Sequence, residues 1–264
     1  MPKKSIFLLV VFVFLGWLYW GNSSIEVNRY TVSSDKLSNL YDGFVIAHVS
    51  DFHNAQSQSK QLLSLLKDSN PSIIVITGDL IDSRSTKVDV ALDFVEEAVK
   101  IAPCYYVNGN HESRVKEYIE LKDGLVELGV VVLEDEIVSL DESFSIIGLV
   151  DPDFAVENRD EILSSLVDVS SFNVLLSHRP EIFSLYVKNE VDVVFSGHAH
   201  GGQARLPFIG GLIAPHQGFF PTYDSGLYEE NSTKMLVSRG IGNSIIPMRF
   251  NNRPNLILVE LQTE

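Results

Sequence analysis

The chain has 264 residues, 45% hydrophobic and 21% charged, enough apolar material for a full core and too much for a disordered protein. Its 35 acidic side chains outnumber 20 lysines and arginines, for a formal charge of -15, so no broad positive field exists to draw a phosphate backbone, and nucleic acid is excluded as a partner. One cysteine, Cys104, rules out an internal disulfide framework; within "PCYYVNGN" it reads as a small buried residue.

In chain order, the first segment stands apart. "MPKKSIFLLVVFVFLGWLYWGN" carries Lys3 and Lys4, then an uncharged run from Ile6 to Trp20 closed by Trp17, Tyr19 and Trp20. The run is shorter than the ~20 residues of a typical span, which admits a cleaved signal peptide, but its aromatic end offers no small-x-small cleavage site and belongs at a membrane surface. Residues 1–21 are therefore expected to be an uncleaved single-pass anchor, 22–42 a linker and first strand, and 43–264 the working domain. Lysines ahead of the run put the N-terminus in the cytoplasm and the domain on the extracytoplasmic side of the cell membrane, with Arg29 and Lys36 opposing that bias.

Beyond the anchor, strands and helices alternate. "GFVIAHVS" (43–50), "SIIVITG" (72–78), "PCYYVNG" (103–109), "FSIIGLV" (144–150), "SFNVLLS" (171–177) and "VDVVFSG" (191–197) are short apolar, β-branched runs that read as buried strands. Between them, Val88, Ala91, Leu92, Val95, Ala98 and Val99 recur at helical spacing, as do Val115, Tyr118, Ile119 and Val126, and Ile162, Leu163, Leu166 and Val167. Strands separated by crossover helices mean an α/β fold, in which ligands collect beyond the carboxyl ends of the strands.

Those strand ends are rich in chemistry. Asp51 and His53 follow the first, Asp79 the second, Asn110 and His111 the third, His178 another, and His198 with His200 stand in "SGHAHGG". Singly, each has a plain reading as a cap, a turn or a hydrogen-bonded histidine. Together they fall on one rim of one sheet, and seven oxygen and imidazole donors apart from His111 are too many for one tetrahedral zinc but suit two adjacent cations with a bridging carboxylate. Residues two apart in an extended segment point the same way, so Asp51 with His53, and His198 with His200, each offer two ligands to one side.

In this order the motifs Asp51-x-His53, Gly78-Asp79, Gly109-Asn110-His111-Glu112, Ser177-His178 and Gly197-His198-Ala199-His200 resemble those of the calcineurin-like metallophosphoesterases, over residues from about 44 to 259. Within that superfamily, "GHAHGGQARLPFIGGLIAPHQGFFP" and "SRGIGNSIIPMRFNNRPNLILVEL" resemble the membrane-associated group that includes the bacterial UDP-2,3-diacylglucosamine diphosphatase-like enzymes. The resemblance implies a four-layer α/β/β/α sandwich of two mixed sheets. It also implies that Asp51, His53 and His200 hold one metal and Asn110, His178 and His198 the other, with Asp79 bridging and His111 the non-ligand catalytic imidazole. Purple acid phosphatases carry a ligand tyrosine where this chain has Asp82, so a tyrosinate-bound ferric centre is not implied and two divalent ions, Mn, Fe or Zn, are.

The implied reaction is hydrolysis of a phosphodiester or pyrophosphate by metal-activated hydroxide, with His111 assisting the leaving group. Arg179 and Arg205 are candidate phosphate contacts, or surface ion pairs; Glu112 orients His111 or caps a helix, the cap being favoured. Residues 206–220, "LPFIGGLIAPHQGFF", lack charge and read as no regular element: either a loop folded on the core or a lid that admits an acyl chain or dips into the membrane. His216 within it is a substrate contact or a structural residue, and His48 is expected in the core. The leading function is a membrane-anchored phosphoesterase acting on a lipid or envelope precursor. The alternatives are the same hydrolase on a soluble nucleotide or phosphomonoester, and a non-catalytic envelope-binding protein; oligomeric state is not legible.

Overall fold

A computed structural model describes residues 2–243 and 248–264. Helix α1 (Pro2–Ser23) is followed by β1 (Glu26–Ser34), β2 (Val45–Val49), α2 (Gln56–Ser69), β3 (Ile73–Thr77), α3 (Val88–Ala98), β4 (Cys104–Val107), α4 (Tyr118–Glu127), β5 (Val131–Val132) and β6 (Glu136–Ser139). Then come β7 (Phe144–Gly148), α5 (Arg159–Leu166), β8 (Phe172–Leu176), α6 (Phe183–Lys188) and β9 (Val193–Ser196). Short strands β10 (Arg205–Leu206), β11 (Gly210–Gly211), β12 (Ile213–Ala214) and β13 (Gly218–Phe219) precede β14 (Gly226–Glu230), β15 (Thr233–Val237) and β16 (Asn255–Thr263).

The apolar runs pair into two six-stranded sheets, ordered β1-β16-β2-β3-β4-β5 and β14-β15-β9-β8-β7-β6. Both are mixed: β2 to β5 run parallel while β16 opposes β2, and β15, β9, β8 and β7 run parallel between antiparallel β14 and β6. Three apolar cores set the layers. Alternate residues of a strand face opposite ways: Ile74 and Ile76 pack with Leu62 and Leu66 of α2 and Phe94 of α3, whereas Ile73 and Val75 meet Phe172, Val174 and Phe195 of the other sheet. That sheet's far face, through Leu175 and Val194, packs on Leu163 of α5 and Phe183 and Tyr186 of α6. The stacking is therefore α/β/β/α, and burial on both faces explains why the strands read as continuous apolar runs.

Two stretches depart from the sequence expectation. Helix α2 was not expected because its first half, "QSQSKQ", is polar; Leu62 and Leu66, one turn apart, are its buried stripe, and Asn70 ends it at a left-handed φ of 45°. Within residues 22–42, β1 pairs in parallel with β16 from Glu26–Asn255 to Ser34–Thr263. Residues 206–220 are not irregular throughout: β10 pairs with β11 and β12 with β13. Left-handed residues such as Phe208 (φ 68°) and His216 (φ 58°) make those turns without the residues that usually signal them. Ala214 reaches the core, while Phe208, Ile209, Phe219 and Phe220 are exposed. The 22-residue α1 has no buried side chain across Lys3–Ser23 and is long and apolar enough to cross a bilayer. At 1.5 Å per residue it spans about 33 Å.

Candidate metal centre

The residues that follow β2, β3, β4, β8 and β9 meet at one edge of the sandwich. The chain turns at once after each strand, and Asp51 (φ 50°), His53 (44°), Asp79 (52°), His198 (65°) and His200 (48°) all take the left-handed conformation. Asp and His tolerate that region better than β-branched residues, yet it persists only where neighbouring contacts hold it. Here the loops are laced together. Asp51 N–H donates to the Gly78 carbonyl (3.1 Å), His53 N–H to that of Asp79 (2.9 Å), and Ile241 and Gly242 N–H to that of Asp51 (3.2 and 2.8 Å). His111 N–H donates to Asp79 Oδ1 (2.9 Å) and His198 N–H to the Asp51 carboxylate (3.1 Å to Oδ2). A Cβ on Gly78 (φ +77°) would stand 2.6 Å from the Gly109 Cα, so glycine at both positions lets the loops after β3 and β4 run in backbone contact.

Two groups of ligand atoms share one carboxylate. Asp51, His53, Asp79 and His200 present atoms all within 4.8 Å of one another, and so do Asp79, His178 and His198. Asp79 Oδ2 stands between them, 3.5 Å from His53 Nε2 and 3.3 Å from His178 Nε2. On one side, His200 Nε2 lies 3.2 Å from His53 Nε2 and 3.2 Å from Asp51 Oδ1. On the other, His198 Nδ1 and Asn110 Oδ1 each lie 3.2 Å from His178 Nε2. All seven residues are buried. Hydrogen-bond partners alone favour the opposite Asn110 rotamer, its amide donating to His178 and His198 and its oxygen accepting from Arg114. A cation between these groups would instead call for the rotamer with oxygen inward.

The donor set fits a divalent cation. Among the described residues, Asp51 and Asp79 have histidines as ion-pair partners and no lysine or arginine. Buried carboxylates this close need compensating positive charge. Burial, with Asp79's charge, pushes the Asp51 carboxyl up to about 6. Burial also works against a charged His178, but Asp79, with Asp51 behind it, draws that imidazole up to about 10. The other rings are neutral, the form that coordinates: burial lowers His53 to about 4 and holds His198 and His200 well below their ordinary range. His178 Nδ1 donates to the Thr77 carbonyl (2.7 Å), so the inward Nε2 is the position whose proton a cation would displace.

His111 lies beside these groups, its Nε2 4.0 Å from Asp79 Oδ2. Ser83 N–H donates to its Nδ1 (3.0 Å), so the ring proton sits on Nε2, toward the cluster. Burial lowers its pKa, keeping the ring neutral. Asp82 stands 3.5 Å from the same Nδ1 but is paired with Arg84 (2.5 Å). Glu112, favoured as a helix cap, is instead a clamp: Oε2 accepts from Asp79 N–H (2.9 Å) and Gly109 N–H (2.8 Å), and Oε1 from Ile81 N–H (3.3 Å). Burial and the Asp79 charge push its carboxyl up to about 8 against those donors.

Arg179 is buried at the rim, but its two-pronged edge is taken by Asp151 (Nε to Oδ2 2.6 Å, Nη2 to Oδ1 2.8 Å) and Nη2 also meets Asp153 (2.8 Å). Only Nη1 faces the cluster, 3.3 Å from His198 Nε2 and 2.8 Å from His216 Nδ1. Bidentate contact with a phosphate is closed to it. Arg205 is engaged elsewhere, with Asp224 (3.1 Å) and the Gly201 carbonyl (3.1 Å). His216 stacks on His198 at 5.1 Å and so belongs to the rim. His48 lies in the core against Phe195, bonded to Thr77 Oγ1 at 2.7 Å. Ser83, Asp151 and Asp153 also serve the site, Ser83 through His111 and the two acids through Arg179. Asp151 carried the same signal as Asp51 and Asp79, an acid just past a strand end.

A family model for the calcineurin-like phosphoesterases matches residues 44–202. The metallophosphoesterase YkuE of Bacillus subtilis (strain 168) is 30% identical over 261 residues, covering 90% of this chain and 86% of its own. Phosphodiesterase YaeI of Escherichia coli (strain K12) is 25% identical over 229 residues, 83% of this chain and 82% of its own. In fold alone, a dimetal phosphatase from Danio rerio superposes with a TM-score of 0.51 at 12% identity, over 76% of this chain and 88% of that one. The family match, the near full-length relatives and the buried carboxylate–imidazole cluster agree: the chain belongs to the calcineurin-like phosphoesterases and is a metal-dependent phosphoesterase.

Proposed function

We propose that the protein is a membrane-anchored phosphodiesterase or pyrophosphatase that holds two divalent cations, Mn, Fe or Zn, and acts on a lipid or cell-envelope precursor. In that respect it is like the UDP-2,3-diacylglucosamine diphosphatase-like enzymes. The observation that carries the two-cation reading is Asp79 Oδ2, one oxygen within 3.5 Å of His53 and 3.3 Å of His178. Asp51, His53 and His200 would hold one ion and Asn110, His178 and His198 the other, with Asp79 shared between them. When bound, the ions supply Lewis acidity to the phosphoryl oxygens and make a water acidic enough to attack near neutral pH. His111, its Nδ1 held by Ser83, presents Nε2–H to the leaving oxygen. Arg179, immobilised by Asp151, offers one N–H at the rim rather than a fork.

Two observations support a lipid substrate at a membrane. The β10–β11 and β12–β13 hairpins expose Phe208, Ile209, Phe219 and Phe220, and His216 in the second of them meets His198 at the rim (2.9 Å). The β10–β11 hairpin is tied to α1, since Arg205 N–H bonds the Phe250 carbonyl (2.9 Å) and the Phe250 ring packs edge-on against Trp17 at 5.3 Å. The anchor then leaves the catalytic domain extracytoplasmic. The test is metal content of the purified full chain, expected near two ions, followed by turnover of a chromogenic diester, a nucleotide and an acylated UDP-sugar. Serine at the four exposed positions leaves the core intact and should slow only the acylated substrate. Equal loss on all substrates, or no loss, sinks the lipid reading and favours a soluble nucleotide.

A further inference from the structure

The last turns of α1 dock on the segment before β16. Asn22 and Arg249 exchange bonds (Nδ2 to the Arg249 carbonyl 2.9 Å, Arg249 N–H to Oδ1 2.7 Å), and the Arg253 guanidinium lies over the Trp20 ring at 4.4 Å. Between helix and domain opens a cavity of about 250 Å³ whose lining includes Trp17, Trp20, Glu26, Arg239, Arg249 and Arg253. Three guanidinium groups share this space with one carboxylate, in a chain whose formal charge is -15. Glu26 Oε2 is divided between Arg239 (3.2 Å) and Arg253 (3.6 Å). The bonds of Arg249 go to neutral partners: the Asn243 side chain (3.1 Å) and the carbonyls of Arg239 (2.7 Å) and Gly242. Arg253 is held in place through Nε and Nη2 by Ser24 and the Ile25 carbonyl, which leaves Nη1, 3.6 Å from Glu26 Oε2, as its donor for an anion.

Depth selects the ligand. Trp17 and Trp20 end a helix that is apolar from Ile6 onward, and tryptophans at such an end sit at headgroup level. We infer that this pocket binds the phosphate of an anionic phospholipid headgroup, through Arg239 and Arg253 with Arg249 behind them. The inference rests on the reading of α1 as an anchor and is independent of the substrate.

Both tryptophans of the chain line the pocket, so intrinsic fluorescence reads it directly. The full chain in nonionic detergent is titrated with dihexanoyl phosphatidylglycerol, with dihexanoylglycerol, which lacks the phosphate, and with inorganic phosphate. A saturable response to phosphatidylglycerol alone is expected. With each cation beside a lipid phosphate worth roughly a factor of five, Arg239→Gln with Arg253→Gln should weaken it about thirtyfold. Glu26→Gln, which removes the competing carboxylate, should tighten it by about fivefold. Neither variant should slow chromogenic diester turnover. An equal response to dihexanoylglycerol means an apolar groove, an equal response to inorganic phosphate means a free-anion site, and unchanged affinity in the variants means no arginine role; each overturns the inference. Release of the chain from membranes by alkali overturns the anchor reading and the inference with it, whereas retention with a flat fluorescence titration overturns the pocket alone.

Discussion

Replacing Glu112 tests the idea that a buried carboxylate behind the metal centre holds two of its loops in register. Its oxygens accept N–H groups from Asp79, Gly109 and Ile81 at 2.9, 2.8 and 3.3 Å, and none of its surface is exposed. Glu112→Ala leaves three buried donors without an acceptor, at roughly 1–3 kcal/mol each, so a loss of at least about 3 kcal/mol is expected. Removing a carboxyl that Asp79 repels offsets part of this, which argues for the lower end. For a domain of this size that is a fall of at least about 6 °C in Tm. Glu112→Gln keeps the shape, and its amide oxygen can serve Asp79 and Gly109, but the NH₂ then faces Ile81 N–H, for a cost of about 1–2 kcal/mol. Because Asp79 and Asn110 flank the clamped bonds, metal affinity should weaken roughly 10–100-fold. Calorimetric melting with saturating Mn²⁺, and Mn²⁺ titration of the purified chain, read the two effects. Glu112→Ala protein that melts within about 1 °C of the parent and binds Mn²⁺ equally well would refute the clamp.

His111→Ala should lower kcat on a chromogenic diester by about 10²–10⁴ while leaving the metal content of the protein unchanged; lost metal would make the residue a ligand instead. Asp79→Asn should cost more than the roughly 10–100-fold typical of residues behind a metal ligand, and should lower metal stoichiometry, so a fully loaded variant contradicts the bridging role. Chelation should abolish turnover and lower Tm, since a divalent ion at about 100 times its Kd stabilises the native state by about 2.7 kcal/mol per site; an unchanged Tm counts against structural coupling. Away from the centre, burial raises the Glu134 carboxyl but Lys122 and the Tyr118 hydroxyl (2.7 Å) outweigh it and hold it below its ordinary 4.5. A depressed carboxyl contributes stability above that value and loses it as pH falls through the folded pKa. The stability gap between the parent and Glu134→Gln should therefore close in acid, and a gap that widens there refutes the pairing.

Sequence alone carried the α/β alternation and the cluster, because both are local. A strand buried on both faces must be an unbroken apolar run, so β2, β3, β4, β7, β8 and β9 announced themselves. The metal-centre residues stand within a few positions of those strand ends, where parallel topology makes a rim. What lacked a local signature was left to the tertiary structure. Helix α2 hides a two-leucine stripe in polar sequence. The clamp by Glu112, the capture of Arg179 by Asp151 and of Arg205 by Asp224, and the pairing of β1 with β16 each join residues far apart or from different loops. The same holds for the arginine pocket, whose Arg239, Arg249 and Arg253 meet Trp20 only because β16 returns beside β1. Residue type and spacing determine which groups can do chemistry; which of them are free to do it depends on partners that only the folded chain supplies.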